Sequence, residues 1–470
     1  MSDSAQFSTS RESILAGTFG RRRFLGAGGL GFLGSALGYL WARDGLLAAG
    51  RIEPPVEPRV RSVIFLFMCG GVSHMDTFDP KGNRWAGKML DVIGSDNGRP
   101  QTRPVIHCPR TFTRYGESGI PVSEWFPHVG GVIDDIAVVR SMFCHQIGHF
   151  PAATEMATAH RDRLFEHPTL GAWISYALGA ANENLPTFVN MGRPSTPTQL
   201  DGGFLGVSLS ATPFQASGPP LENLALPPGL DRRARDRHMA FLAALNRRFH
   251  EEYAIEQEIA ARTRSYELAA RLQLSAPEAV DFATESARTL ALYGVDEPKT
   301  NDFGRQLLLA RRLVERGVRF VQICHGGYGN GRWDSHDDVN DHGPLCFQTD
   351  KPIAGLIQDL KQRGLLDSTL LVWATEFGRT PWSQNTVGRD HNPHGFSVWL
   401  AGGGVRGGTV HGATDEIGHR SVEDRHYVSD LQATILEQMG LDYTQMEVEV
   451  RGQPIRMIEE GEGPIRAILS

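Results

Sequence analysis

The chain has 470 residues, of which 40% are hydrophobic and 21% charged, and a formal net charge of −7. That length and balance belong to a large folded globular protein and exclude a low-complexity chain. The negative charge, with no basic patch beyond the N-terminus and one helical segment, makes no case for nucleic acid.

Residues 1–50 read as an address rather than as fold. Arg21, Arg22 and Arg23 precede Phe24 and Leu25, and an uncharged, Gly-rich apolar stretch then runs to Ala42. This resembles a twin-arginine export signal. The stretch also touches the lower limit for a membrane span, so a retained N-terminal anchor is the alternative. Membrane contact is expected only through this segment, if it is uncleaved. The five cysteines, Cys69, Cys108, Cys144, Cys324 and Cys346, form no CxxC and are too scattered for a disulfide scaffold; they read as small buried hydrophobes.

From residue 58 onward, buried strands alternate with amphipathic helices. "RSVIFLFMCGG" (61–71), "DDIAVVRSMF" (134–143) and "LPTFVNMG" (185–192) are short apolar runs of strand length. Residues 200–300 break the pattern: a Gly/Pro/Ser-rich loop is followed by a long charged stretch of helical period, and together they read as a loop plus helical insertion. "GRQLLLARRLVERG" (304–317) predicts a helix feeding the strand "GVRFVQICHGG" (317–327). "IAGLIQDLKQRGLLDS" (353–368) predicts another, leading into the strand within "STLLVWATEFGRT" (368–380). "FSVWLAGGG" (396–404) is a last strand, and "VSDLQATILEQMGLD" (428–442) a late helix. The order predicts an α/β domain over 58–470, with a largely parallel central sheet and helices on both faces.

Unusual residues collect where these strands end, which is where parallel α/β sheets bind ligands. His74, Asp76 and Asp79 follow the first strand, and His145, His149 and Glu155 follow the second. After the strand at 317–325 comes "GGYGNGRWDSHDDVNDH", with Asp334, His336 and His342. Glu376 follows the strand at 369–375, and "GRDHNPHG", with Asp390, His391 and His394, precedes the last strand. Convergent imidazoles and carboxylates suit Zn, Mn or Fe better than Ca. Trp333 and Trp382 flank these loops and are candidate pocket walls. His107, His128, His160 and His167 are isolated and read as structural, and His411 and His419 as surface loop.

The stretches "IFLFMCGGVSHMDTFDPK", "HFPAATEMATAH", "TLLVWATEFGRTP" and "GRDHNPHGFSVWLAGGGVRGG" resemble the domain-of-unknown-function 1501 family of bacterial proteins with twin-arginine signals. That family is grouped with the alkaline phosphatase superfamily, which includes sulfatases. The resemblance implies an alkaline phosphatase-like fold with a divalent metal, Zn or Mn, as one or two ions. It implies Asp76 as the metal carboxylate of the first strand, with His74 nearby. It puts His149 at the nucleophile position, near Thr154, and implies Asp334 with His336 or His342 as the next metal group. Glu376 and either His391 or His394 complete the implied ligands. Two departures stand out: Phe377 occupies the position of a metal-binding His, and no Ser, Thr or Cys occupies that of the nucleophile.

Two readings follow. One is an exported metal-dependent hydrolase of phosphate or sulfate esters, acting on a small-molecule or polysaccharide substrate. The other is a non-catalytic exported binding protein that keeps the fold, for sulfated or phosphorylated polysaccharide or a partner protein.

Overall fold

In β1, Ser62–Met68, every one of the seven residues is buried. A strand can be apolar throughout only if both neighbouring strands and both faces are covered, and each of these conditions is met here. The computed structural model describes residues 57–93, 99–162, 165–217, 278–327, 333–383 and 387–470, with scattered positions between 231 and 245. Residues 1–50, expected as an export signal or N-terminal anchor, lie outside the described residues, as does most of the insertion expected within 200–300.

The remaining strands of the main sheet are β2 (Ile136–Phe143), β3 (Phe188–Gly192), β4 (Thr212–Phe214), β5 (Phe320–His325), β6 (Thr369–Ala374), β7 (Phe396–Gly402), β8 (Thr409–His411) and β9 (His426–Tyr427). Their order is β8-β2-β7-β6-β1-β5-β3-β4, and β9 also pairs with β2. β1 runs parallel to both β6 and β5, with Val63 opposite Leu370 on one side and Phe320 on the other. Among the described strands of this sheet, β7 alone is antiparallel to its neighbours, β6 and β2. The sheet is thus largely parallel, as the sequence predicts.

Alternation along β1 divides the interior into two cores. Ile64, Leu66 and Met68 enter one, built with Leu307 and Leu308 of α3 (Asn301–Glu315) and with Ile353 and Ile357 of α4 (His342–Gln362). Val63, Phe65 and Phe67 enter the other. There they meet Ala152 and Met156 of α1 (His149–Thr158), Trp173 of α2 (Leu170–Leu178) and Leu431 of α5 (Val428–Gln438). Helices therefore cover both faces.

Two differences from the sequence reading concern elements around the site. The helix expected over 353–368 begins eleven residues earlier, at His342, and carries Pro352 in its interior. His411, expected on a surface loop, lies on β8, whose three residues pair with Ala137, Val138 and Val139 of β2. So short an edge strand has no room for a periodic apolar signal. Among the described residues, no helix is long and apolar enough to cross a membrane.

Candidate metal centre

Parallel pairing brings the carboxyl ends of β1, β5 and β6 to one end of the sheet, and β2, antiparallel to β7 as β6 is, ends there as well. The single antiparallel strand, β7, puts its beginning there instead, so the segment preceding it reaches the same place. A short ladder fixes that segment: Gly378 pairs with Asn392, and Arg379 with His391. The stretch after β5 is drawn in by a hydrogen bond from the Trp333 backbone N to the carbonyl of Cys69, 3.1 Å. It crosses the chain just beyond β1 at Gly70, whose φ is +128°, and a Cβ there would stand 2.7 Å from the backbone N of Trp333 and of Asp334. The β2–α1 loop is held by the buried carboxylate of Glu155, which accepts from the backbone N of His145 and of Gln146, both at 2.9 Å, and from the Tyr427 hydroxyl at 2.6 Å. His149, the first residue of α1, is thereby presented to the sheet end.

His149, Asp334, His336 and His391 converge, each offering one ligand atom, with all four atoms within 4.8 Å of one another. Asp334 is the hub. Its Oδ2 lies 3.1 Å from His149 Nε2, and its Oδ1 lies 3.0 Å from His336 Nε2 and 3.4 Å from His391 Nε2. The Nε2 atoms of His336 and His391 are 2.9 Å apart. All four side chains are partly accessible, from 12% for His391 to 26% for His336. An ion could therefore reach them from solvent.

The outer ring nitrogens decide the tautomers. His149 Nδ1 lies 2.9 Å from Glu376 Oε1, and an ionised carboxylate only accepts, so the proton of a neutral His149 sits on Nδ1. His391 Nδ1 likewise donates to the carbonyl of Ile147 at 2.7 Å. Both rings therefore aim an Nε2 lone pair inward. His149 Nε2 is buried and has no aligned hydrogen-bond partner, even though Asp334 is close. A lone pair facing a carboxylate is repulsive unless a positive charge lies between them. Imidazoles with one nitrogen bonded to a carboxylate or carbonyl and the other turned inward are what a divalent metal requires.

In the absence of an ion, a proton on His149 can supply the positive charge between its ring and Asp334. Burial opposes charge on His149, but the flanking carboxylates of Asp334 and Glu376 outweigh it and raise its pKa. Burial pulls His391 down to about 4, aided by the charge of Arg379 and by the neighbouring His149 and His336, against the opposing pull of Asp334. Burial would raise Asp334, but the adjoining imidazoles of His149, His336 and His391, with the Arg379 guanidinium beside them, hold the carboxyl far below the usual range.

Glu376 is fully buried behind His149 and also accepts from the backbone N of Gly70 at 2.8 Å. It orients a cluster member rather than joining the cluster. The structure does not bring the other expected ligands there. Asp76 is buried against Arg389, whose Nε donates to it at 2.7 Å, and it also accepts from Ser73 and Cys108. This carboxylate is neutralised by a guanidinium in the core. His74 bonds the Gly418 carbonyl through Nε2 at 2.7 Å. His394 packs edge-on against His419, with centroids 5.5 Å apart. His342 is fully buried, accepting from the Ser73 backbone N and bonding Ser335 Oγ at 2.6 Å. Thr154 pairs with the Thr198 hydroxyl at 2.8 Å.

Asp337 and Asp341 are exposed, and Asp338 caps the backbone N of Asn340. Trp333 and Trp382, expected as pocket walls, are buried in the fold.

Arg379 was not singled out by sequence. It is buried, donates to Asp334 Oδ1 at 2.8 Å and binds the backbone carbonyls of Gly70, Gly71, Trp333 and Arg389. Its signal was the "EFGRTP" stretch itself, where an Arg comes five residues after the end of a buried strand. Phe377, at the position where the resemblance leads one to expect a metal-binding His, packs its ring 4.4 Å from that of His391 and 5.1 Å from that of His149.

Solved structures similar to this chain include the C-terminal periplasmic domain of EcEptC from Escherichia coli in complex with Zn. It is 13% identical, with 84% of this chain and 85% of that chain covered and a TM-score of 0.38. The PsFucS1 sulfatase from Pseudoalteromonas sp. is 11% identical, covering 85% of this chain and 72% of its own, with a TM-score of 0.35. The alkaline phosphatase of the Antarctic bacterium TAB5 is 9% identical, covering 82% and 99%, with a TM-score of 0.35. No curated protein matches the sequence. The family model described as "Protein of unknown function (DUF1501)" matches residues 60–469, and the chain belongs to that family.

Proposed function

We propose that the protein is an exported metal-dependent hydrolase of phosphate or sulfate esters, built around one ion at His149, Asp334, His336 and His391. The observation that supports this most directly is the pair of inward Nε2 lone pairs, on His149 and His391, fixed by Glu376 and the Ile147 carbonyl and gathered on the Asp334 carboxylate. Three imidazoles and one carboxylate suit zinc, with manganese as the alternative. A bound divalent ion supplies Lewis acidity toward an ester oxygen.

The protein's own residues do the rest. Glu376 holds the His149 proton at Nδ1, so that Nε2 faces the ion. Arg379 keeps Asp334 ionised and in place. His336, the most exposed of the four, donates from Nε2 to the Nε2 lone pair of His391 at 2.9 Å in the absence of an ion; when its Nε2 binds, its proton moves to Nδ1, which lies 3.8 Å from Asp390 Oδ1. His149 is read as a ligand rather than a nucleophile, because both its ring nitrogens are committed. With Thr154 turned to Thr198, water is the nucleophile in this reading.

The same observation supports a second reading, a non-catalytic exported protein that uses the ion to bind sulfated or phosphorylated polysaccharide. Metal content and turnover separate the two. Purified protein loaded with zinc, and its Asp334→Asn variant, would be assayed on aryl phosphate, phosphodiester and aryl sulfate substrates. Hydrolysis that is lost in the variant supports the enzyme. Bound zinc without hydrolysis of any of the three supports the binding protein, and the absence of zinc removes both.

A further inference from the structure

A second group of metal-type donors lies at the other end of α1. His149 opens that ten-residue helix, and His160 follows its close, about 15 Å away along the axis at 1.5 Å per residue. Ala159 turns the chain there with a φ of +62°, a left-handed helix cap that directs His160 inward. His160 and His167 are both buried, and their rings stack 3.7 Å apart at 10°. Asp162 reaches over them.

The hydrogen bonds turn ring nitrogens of both histidines toward carboxylates. His160 Nε2 lies 3.0 Å from the Arg456 carbonyl, which only accepts, so the proton of a neutral His160 is on Nε2. Its Nδ1 lone pair then faces Asp162 Oδ2 at 3.8 Å and Glu459 Oε2 at 3.9 Å. These distances are too long for hydrogen bonds and of the right order for groups that close onto an ion. His167 Nε2 stands 3.1 Å from the same Asp162 oxygen. That carboxylate only accepts, so without an ion the proton of a neutral His167 is on Nε2; the buried Nδ1 has no hydrogen-bond partner and can take the proton when Nε2 binds an ion. The two carboxylate side chains are 39% and 52% exposed, which gives an ion a way in.

We propose that His160, Asp162 and His167, with Glu459 closing from the C-terminal segment, bind a second divalent metal ion of the zinc class, independent of the His149 centre. Two imidazoles with one or two carboxylates form a borderline-soft donor set of the kind that takes zinc. The site is structural: it ties the segment following α1 to the chain at 456–460, beside the ion pair of Arg161 with Glu460. No touching substrate group or catalytic role is involved, and the inference does not depend on the hydrolase reading.

The test is a count of bound zinc. Full-length protein and the variants Asp162→Asn and His167→Gln are dialysed to equilibrium against zinc chloride, and metal per chain is measured by mass spectrometry. Circular dichroism checks folding; Asp162 is accessible enough for its variant to fold. The expected result is one zinc fewer in each variant than in the parent. A parent with two and variants with one supports both centres. A parent with one and variants with none supports this site alone and counts against the His149 centre. Equal zinc in parent and variants, or none in the parent, overturns the proposal, because the stacked histidines would then form an ordinary His–Asp ion pair.

Discussion

His149 Nδ1 and Glu376 Oε1 meet at 2.9 Å across 227 residues of sequence, and Glu376 itself is fully buried. This contact fixes which nitrogen of His149 faces the Asp334 carboxylate, and with it whether the loop after β2 can take part in binding an ion. Replacing Glu376 with Gln keeps the shape but removes the acceptor charge. A glutamine has one carbonyl oxygen for two donors, the His149 ring and the Gly70 backbone N. The expected result is a zinc affinity lower by roughly 10–100-fold, the usual cost of losing an orienting partner, with the fold retained by circular dichroism. Unchanged affinity in a competition titration would remove Glu376 from the site.

Asp334→Asn goes further, because Asp334 touches all three histidines and Arg379. Zinc affinity should fall by more than the roughly 10–100-fold expected for an outer partner. The same substitution leaves the buried Arg379 guanidinium without its carboxylate, so thermal stability should drop as well. Equilibrium dialysis and a melting curve on one sample report both effects.

Phe377 packs against the touching rings of His149 and His391 and is fully buried. Truncation to Ala removes a large buried ring and leaves a cavity beside the centre. The expected loss of stability is about 3–5 kcal/mol, measured by urea unfolding. If the loss is under about 1 kcal/mol, the ring is not a packing element there.

Gly70→Ala tests the crossing that delivers Asp334. The Cβ would press on the backbone N of Trp333 and Asp334 at 2.7 Å, from a φ of +128°. Strain of about 1–3 kcal/mol is expected, together with weakened zinc binding because the 333–336 segment is displaced. A variant with native zinc affinity would show that the segment holds its position without this close approach.

His342 gives a pH signature. Burial, reinforced by the Arg379 charge, lowers its pKa from 6.5 to about 3. The unfolded chain takes up a proton at this residue as pH falls through 6.5, while the folded ring stays neutral until about 3. Its contribution to stability is therefore present above 6.5 and is lost progressively as pH drops toward 3, at up to about 1.4 kcal/mol per pH unit. Urea unfolding at about pH 7 and about pH 5 should show a steeper loss in the parent than in His342→Gln. Parallel losses would mean that His342 protonates in the folded protein as readily as in the unfolded chain.

The sequence by itself determined the sheet and the neighbourhood of the site. Uninterrupted apolar runs such as Ser62–Met68 and Thr369–Ala374 cannot be covered except in the middle of a parallel sheet, and parallel pairing then collects the loops that follow them. That is why Asp334, His336, Glu376 and His391 were all legible as candidates from their place after or before a strand. Tertiary structure decided which of them converge on one cluster. Asp76 and Asp334 look alike in sequence, each a carboxylate after a buried strand, yet one is neutralised by Arg389 and the other gathers three imidazoles. His391 and His394 are three residues apart on one loop, but the pairing of His391 with Arg379 turns only the first toward the cluster. His160 and His167, isolated in sequence, stack their rings 3.7 Å apart. In each case the deciding quantity is a distance of a few ångströms between side chains far apart or differently turned along the chain, and local spacing carries no information about it.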